Sequence, residues 1–441
     1  MATFRPFSGL RYDPAVVGDP AAVTAPPYDV IDAAERDRLY AKSPYNVVRI
    51  DLSREADPYG SAAATLAGWR EEGAVAADVK PSLYLYAQKF PLPDGGTRER
   101  VGIIGALRIE SFESGKVRPH ERTLQKAKDD RYALLKACGV SLSPIFGLVS
   151  APELDLAALV PTTRPPDVDV RGKDGSHDRL WRIDDPKLIE HVTSAVAPHE
   201  VFIADGHHRY ETALRYRDER RAEAGATAPN AEASASAPVE APYDYVLCYL
   251  TTMEDRGLVI FPTHRVLAKL ALVPAAFRGA LAEHFTIEEL PWSEAGLATM
   301  LERLERSTHD RSSDTSHLGV AVAGAGSLWL CSAPTSALPF PPGVEPELRV
   351  LDVKVLHQIV LAGILQLPIG DRGGAPGLTY TQDARRALGR VDGGEAAAAF
   401  FLPSTTVGDL RAVGLAGLTM PEKSTYFFPK LLTGLVFYPL A

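Results

Sequence analysis

Cysteine is scarce: the 441 residues include three, Cys138, Cys248 and Cys331, far apart and with no C-x-x-C. That spacing excludes a disulfide framework and a cysteine zinc site, and it fits small buried hydrophobes in a reducing cytosol. Long apolar runs are missing too. No stretch is long enough to cross a bilayer, and MATFRPFSGLRYDP lacks the basic-then-apolar order of a secretory signal. A cytoplasmic protein with no membrane partner is therefore expected. Net positive charge is also absent. The formal charge of -9 and a pI near 5.7 argue against a general nucleic-acid binder, so an anionic ligand would need focused Arg and Lys. There is no internal repeat, no G-x-x-x-x-G-K-[ST], and no G-x-G-x-x-G at a strand–helix junction, which removes the two commonest glycine loops for nucleotides. What is present is a chain with 46% hydrophobic residues, long enough to bury a sizeable core in two or three domains.

The order of signals predicts an α/β protein with mixed sheets. APPYDVIDAAERDRLYAKSPYNVVRIDLSRE reads as a Pro-Pro turn, a helix capped by Asp32 with Glu35 three positions on, and a strand from Asn46 to Leu52. A helix over 59–72 follows, then a hairpin in SLYLYAQKFPLPDGGTRERVGIIGALRIE around Pro93 to Gly96. Residues 184–196 read as a helix with Leu188, Ile189, Val192 and Val196 on one face. AEAGATAPNAEASASAPVEAP is small, Pro-punctuated and nearly free of large apolar residues, so residues 222–242 are expected to be a flexible linker. Two strands with a polar turn at 253–257, a helix over 274–306, a strand at SLWLCSA, a helix containing LDVKVLHQIVLAGIL and a strand at AAAAFFL complete the reading. Four segments result: an N-terminal α/β region over 1–110, a phosphate-binding region over 111–221, the linker, and a C-terminal α/β region over 243–441.

The informative stretch is VFIADGHHRYETALRYRDE. An apolar strand stops at Asp205-Gly206 and helix composition begins, so Gly206, His207, His208 and Arg209 fall on the turn and the first helical positions. Such positions present unpaired N–H groups and the positive end of the helix dipole, an environment for an anion. Arg209 has a fork for two phosphate oxygens, the histidines are further donors, and Gly206 permits close backbone approach. Asp205 is the odd member: a carboxylate beside an anion is repulsive unless it binds Mg²⁺ or takes a proton from a nucleophile. The plainer alternative makes Asp205 a helix cap and the histidines half-buried groups satisfied by carbonyls. Adjacent histidines without H-x-x-x-H spacing disfavour zinc.

Five blocks carry a resemblance: T-A-P-P-Y-D-V-I (24–31), H-E-R-T-L with S-P-I-F downstream (120–146), A-D-G-H-H-R-Y-E-T-A-L (204–214), P-T-H-R (262–265) and M-P-E-K-S-T-Y-F-F-P-K-L-L-T-G-L-V (420–436). In that order they resemble the bacterial and archaeal domain-of-unknown-function family 1015, over nearly the whole chain. Segment 185–220 is also similar to the nucleotide-binding element of the ParB and sulfiredoxin superfamily, which includes free-serine kinases. That second resemblance implies a ParB/sulfiredoxin-like core with additional α/β elements. It implies that Gly206, His207, His208 and Arg209 hold nucleotide phosphates, that Asp205 lies beside the transferring group, and that an acidic residue elsewhere activates the acceptor hydroxyl.

Phosphoryl transfer also needs cations, a metal and a base. The block at 118–131 offers Arg118, His120, Glu121, Lys126, Asp130 and Arg131, with Glu121 as the expected base and Asp130 as an exposed flank; otherwise the block is a solvated charged connection. Lys423, Ser424 and Thr425 are further phosphate contacts, or part of a packed terminal strand. Pro26-Pro27 would aim Tyr28 and Asp29, with His120, at a substrate, or merely end a strand. Thr263 and His264 read as structural, and His357 as a satisfied core histidine. The expected function is a kinase moving phosphate from ATP or ADP, with Mg²⁺, to a hydroxyl compound, L-serine first. A nucleotide-binding regulatory or DNA-associated protein and a phosphohydrolase are the alternatives.

Overall fold

The computed structural model describes residues 2–93, 95–123, 125–226, 240–309, 314–370 and 373–441, without the side chains of Lys126, Ala127, Ala226 and His309. The strand signals assemble into a nine-stranded mixed sheet. Its members are β1 (Phe4–Arg5), β2 (Leu83–Pro91), β3 (Thr97–Arg108), β4 (Val117–Arg118), β5 (Ile145–Val149), β6 (Val168–Arg171), β7 (His177–Ile183), β8 (Val201–Asp205) and β9 (Tyr245–Thr252). The order is β4-β8-β5-β9-β3-β2-β7-β6, with β1 beside β3. β8 runs parallel to β4, and β5 parallel to β9; the remaining pairs are antiparallel. The predicted hairpin is β2–β3, in register from Tyr84 opposite Ile104 to Pro91 opposite Thr97. Apolar side chains of β8 (Val201, Ile203) pack with Val192 and Val196 of the helix before it and Tyr210 and Ala213 of the helix after it.

This sheet belongs to one of two compact units, formed by Met1–Pro119, Thr123–Leu258 and Pro429–Ala441; the other contains His120–Arg122 and Val259–Phe428. Segment 1–110 thus lies in the first unit, 111–221 lies there apart from residues 120–122, and most of 243–441 lies in the second. The first unit's main helices are α1 (Ala33–Lys42), α2 (Val48–Asp51), α3 (Pro58–Glu71), α4 (Gln125–Cys138), α5 (Pro186–Val196) and α6 (His207–Ala226). Asp32 caps α1 as expected, accepting from Glu35 N at 2.8 Å. The strand predicted over 46–52 is instead α2. Val and Ile gave it a strand-like composition, but buried Asn46 accepts from Val48 N at 3.0 Å and donates to the Ala22 and Thr24 carbonyls, an Asx turn that starts a helix. The predicted linker also begins too early: α6 continues through 222–226, and 227–239 lie outside the described residues.

The second unit is built on a six-stranded antiparallel sheet. In chain order its strands are β10 (His264–Leu267), β11 (Thr286–Pro291), β12 (Thr315–Val322), β13 (Ser327–Pro334), β14 (Leu378–Thr381) and β15 (Ala398–Phe401), arranged β11-β13-β12-β15-β10-β14. The single helix expected over 274–306 is two, α7 (Pro274–Ala282) and α8 (Glu294–His309), separated by β11. Thr286-Ile287 begins a strand that pairs with β13 from Ser332 to Ser327, so ladder hydrogen bonds override the helical pattern. LDVKVLHQIVLAGIL is helical, but Leu356–Ile364 winds as a π-helix, a form frequent at functional sites.

Candidate functional site

The first unit contains the predicted corner. α5, β8, Gly206 and α6 follow one another, as the superfamily resemblance implies. Gly206 sits at φ +89°, and a β-carbon there would lie 2.9–3.0 Å from the Arg209 guanidinium, so glycine serves both the turn and the arginine that covers it. Arg209 Nη2 donates to Asp205 Oδ2 at 3.0 Å and its Nη1 to the Pro144 carbonyl. Lys430, near the chain's end, donates from Nζ to Asp205 Oδ1 at 3.2 Å. Burial would raise the Asp205 pKa, but Lys430 and Arg209 outweigh it and hold the carboxyl well below the usual range. His207 is buried and His208 half-buried.

Beside the corner a cavity of about 50 Å³ is lined by Tyr28, Asp51, Arg131, Arg209 and Thr212 among apolar neighbours. Arg131 is 9% exposed. It donates from Nη1 to Asp51 Oδ1 and from Nε to Asp130 Oδ2, both at 2.7 Å, and its guanidinium lies 4.1 Å from the Tyr28 ring centroid. Those partners commit Arg131 to the fold's own carboxylates. Burial raises the Asp51 pKa, with Arg131 and Arg209 opposing, while Asp51 Oδ2 and Thr212 Oγ1 are buried with no hydrogen-bond partner among the described residues. Burial likewise pushes the Tyr28 hydroxyl up to about 12. Asp29 is exposed, and the side chain of Asp130, expected as an exposed flank, is 46% exposed and accepts from Tyr59 Oη at 2.9 Å. Arg118 pairs with Glu200 at 2.9 Å. The side chain of Lys126 lies outside the described residues.

His120, Glu121, Lys423, Ser424 and Thr425 belong to the second unit. There Glu121 Oε1 accepts from Lys423 N at 2.7 Å, and Lys423 has φ +57°. His120 Nε2 lies 2.9 Å from Thr425 Oγ1, and Ser424 Oγ donates to the Pro421 carbonyl at 2.5 Å. Arg265, 1% exposed, donates to the Glu422 and Lys423 carbonyls at 3.2 and 3.1 Å. These contacts fasten a tight turn. His264 is structural as expected, accepting at Nδ1 from Leu402 N at 3.3 Å, and burial takes its pKa down to about 3. His357 departs from expectation: it is buried, but neither ring nitrogen has a partner among the described residues.

A model of the family described as "Protein of unknown function (DUF1015)" matches residues 4–354. The chain belongs to that family. The matched segment includes the corner and stops three residues before His357. No curated protein matches the chain. Similar solved structures include a conserved hypothetical protein from Pyrococcus furiosus, at 14% identity over 75% of this chain and 92% of that one, with a TM-score of 0.33. A free serine kinase in complex with AMP is 13% identical over 74% and 86%, TM-score 0.33; a variant of it in complex with ADP is 12% identical over 74% and 87%, TM-score 0.33. Likeness at that level says nothing of chemistry. Among the described residues no helix is long and apolar enough to cross a membrane.

Two groups of this site escaped sequence reasoning. Asp51 lay in a segment read as a strand, and nothing in V-R-I-D marks a carboxylate that meets Arg131 across 80 positions. Lys430 ends the Y-F-F-P-K run of the C-terminal block, five residues beyond Thr425, and its cationic side chain is the signal that marks it.

Proposed function

We propose that this protein is a small-molecule kinase that transfers a phosphoryl group from ATP or ADP to a hydroxyl compound, with free L-serine the first acceptor to test. The observation that carries the reading is the convergence of Arg209 and Lys430 on Asp205 where Gly206, at positive φ, leads into the 20-residue helix α6. Nucleotide phosphates would take the positive end of α6, with Gly206, His207 and His208 lining the approach and the two cations turning from Asp205 to phosphate oxygens. Asp205 then acts as an anchor. Its depressed pKa makes it a weak base, but its charge keeps both cations in place until an anion arrives. Mg²⁺ belongs to the nucleotide, as a substrate complex. Among the described residues no three His, Cys, Asp or Glu side chains are grouped to hold a metal, and both Asp205 oxygens already accept from cations.

The acceptor would occupy the adjoining cavity, with Tyr28 against its body and Asp51 Oδ2 taking the hydroxyl proton. A buried carboxylate with a raised pKa and an unpartnered oxygen is a better base than a solvated one. The test is phosphorus NMR of the protein with Mg²⁺ and ATP or ADP against a panel of small alcohols led by L-serine. Phosphoester should form with one acceptor and cease in Asp51→Asn, while nucleotide still binds. Phosphate released at one rate across the panel, with no phosphoester, would replace the kinase by a hydrolase. Binding without turnover would leave a nucleotide-responsive regulatory protein.

A further inference from the structure

The second unit contains a larger and more polar cavity, about 280 Å³, that the kinase reading does not use. Lys354, His357 and Gln358, close together in the chain, line the cavity. Gly370, Gly373 and the run from Gly417 to Pro421 also line it. Arg122 stands at the rim, exposed, donating from Nε to Thr419 Oγ1 at 3.2 Å. Among the described residues no acidic side chain lines the space; Asp371 and Arg372 lie outside them.

His357 is the telling group. It is 1% exposed, and among the described residues neither Nδ1 nor Nε2 has a hydrogen-bond partner, although a buried polar group ordinarily finds one. Gly373, at φ +92°, brings its backbone so close that a β-carbon would lie 2.7 Å from Nδ1. The ring is carried on the π-helical segment, a costly local geometry that recurs where a side chain must be aimed. Burial, reinforced by Arg265 and Lys354, keeps the imidazole neutral, so it offers one donor and one acceptor. Burial and Arg122 also lower the Lys354 pKa, as expected for two cations near one space.

We propose that this cavity is a second binding site, which takes a small organic anion by its carboxylate or phosphate group. Lys354 and Arg122 supply the charge, and His357 and Gln358 supply neutral hydrogen bonds to the body of the molecule. The volume is close to the lower limit of ordinary ligand pockets, roughly 300 Å³, which selects a small metabolite over a nucleotide. The inference stands whether or not the first unit binds nucleotide, since all its groups belong to the second.

The experiment follows the histidine Cε1–H resonances of the full chain by NMR during titration with succinate and, separately, with inorganic phosphate, using ethylamine as the cationic control. One anion should move a resonance that is missing in His357→Gln, and ethylamine should not. Lys354→Gln and Arg122→Gln should each weaken that anion at least about tenfold, the size expected for losing a charge-assisted hydrogen bond. A response to succinate alone assigns a carboxylate ligand, and one to phosphate alone a phosphate ligand. No movement with either anion at millimolar concentration, or affinity unchanged in both charge variants, overturns the site. Should His357→Gln fail to fold, the exposed Arg122 variant still decides.

Discussion

At the β8–α6 corner of the first unit, buried charge is met by opposite charge: Arg209 and Lys430 share Asp205, and nearby Arg131 has Asp51 and Asp130. In the second unit His264 and His357 are buried more deeply, at 1% exposed each, and burial, with cations beside them, drives their protons off. The difference teaches what each region is ready for. A corner whose cations already rest on a carboxylate can exchange that carboxylate for a ligand's phosphate with little reorganisation. The neutral His357, beside Lys354 and Arg265, presents hydrogen bonds and a positive field to an anion.

The sharpest way to break the comparison is to remove the shared carboxylate. Asp205→Asn leaves two largely buried cations against one amide and should cost about 3 kcal/mol or more of stability, measured by urea unfolding. A loss under ~1 kcal/mol would mean that the cations are solvated without it. Acid addresses the other unit. The folded His264 pKa is near 3 against about 6.5 for an unfolded histidine, so the stability due to the neutral ring is complete above about pH 6.5 and is lost as pH falls towards 3. Between pH 6.5 and 5 this amounts to about 2 kcal/mol, with His357 adding in the same direction. Asp205 is ionised throughout that window and should add no slope there. Urea midpoints followed across that range should therefore fall, and His264→Asn should flatten part of the fall; a flat wild-type profile would contradict the buried neutral rings. The smallest effect sharpens the contrast at one backbone position. Lys423 holds φ +57°, which glycine adopts without strain, so Lys423→Gly should stabilise by up to about 1 kcal/mol in thermal unfolding.

The corner was legible in the sequence because every part of it is local: an apolar strand, a glycine and a helix within a few residues specify their own geometry. The cap at Asp32, the β2–β3 hairpin and α5 were legible for the same reason. Partnerships across long separations were not. Asp51 with Arg131, and Asp205 with Lys430 across 225 positions, form only when the sheet and the C-terminal segment close, and no short window contains both partners. The α2 error has the opposite origin: a local signal, the Asn46 cap, was present and was overlooked behind a β-branched composition. His357 shows a further limit, since sequence can predict burial from an apolar helix but not whether a buried ring finds a partner.

Calorimetric titration of the full chain with Mg²⁺–ADP, comparing wild type with Arg209→Lys and Lys430→Gln, tests the phosphate site most directly. Lysine keeps the charge of Arg209 but loses its planar fork, so affinity should fall at least about tenfold in Arg209→Lys, and similarly in Lys430→Gln. Unchanged affinity in both variants would contradict a nucleotide site at Gly206 to Arg209.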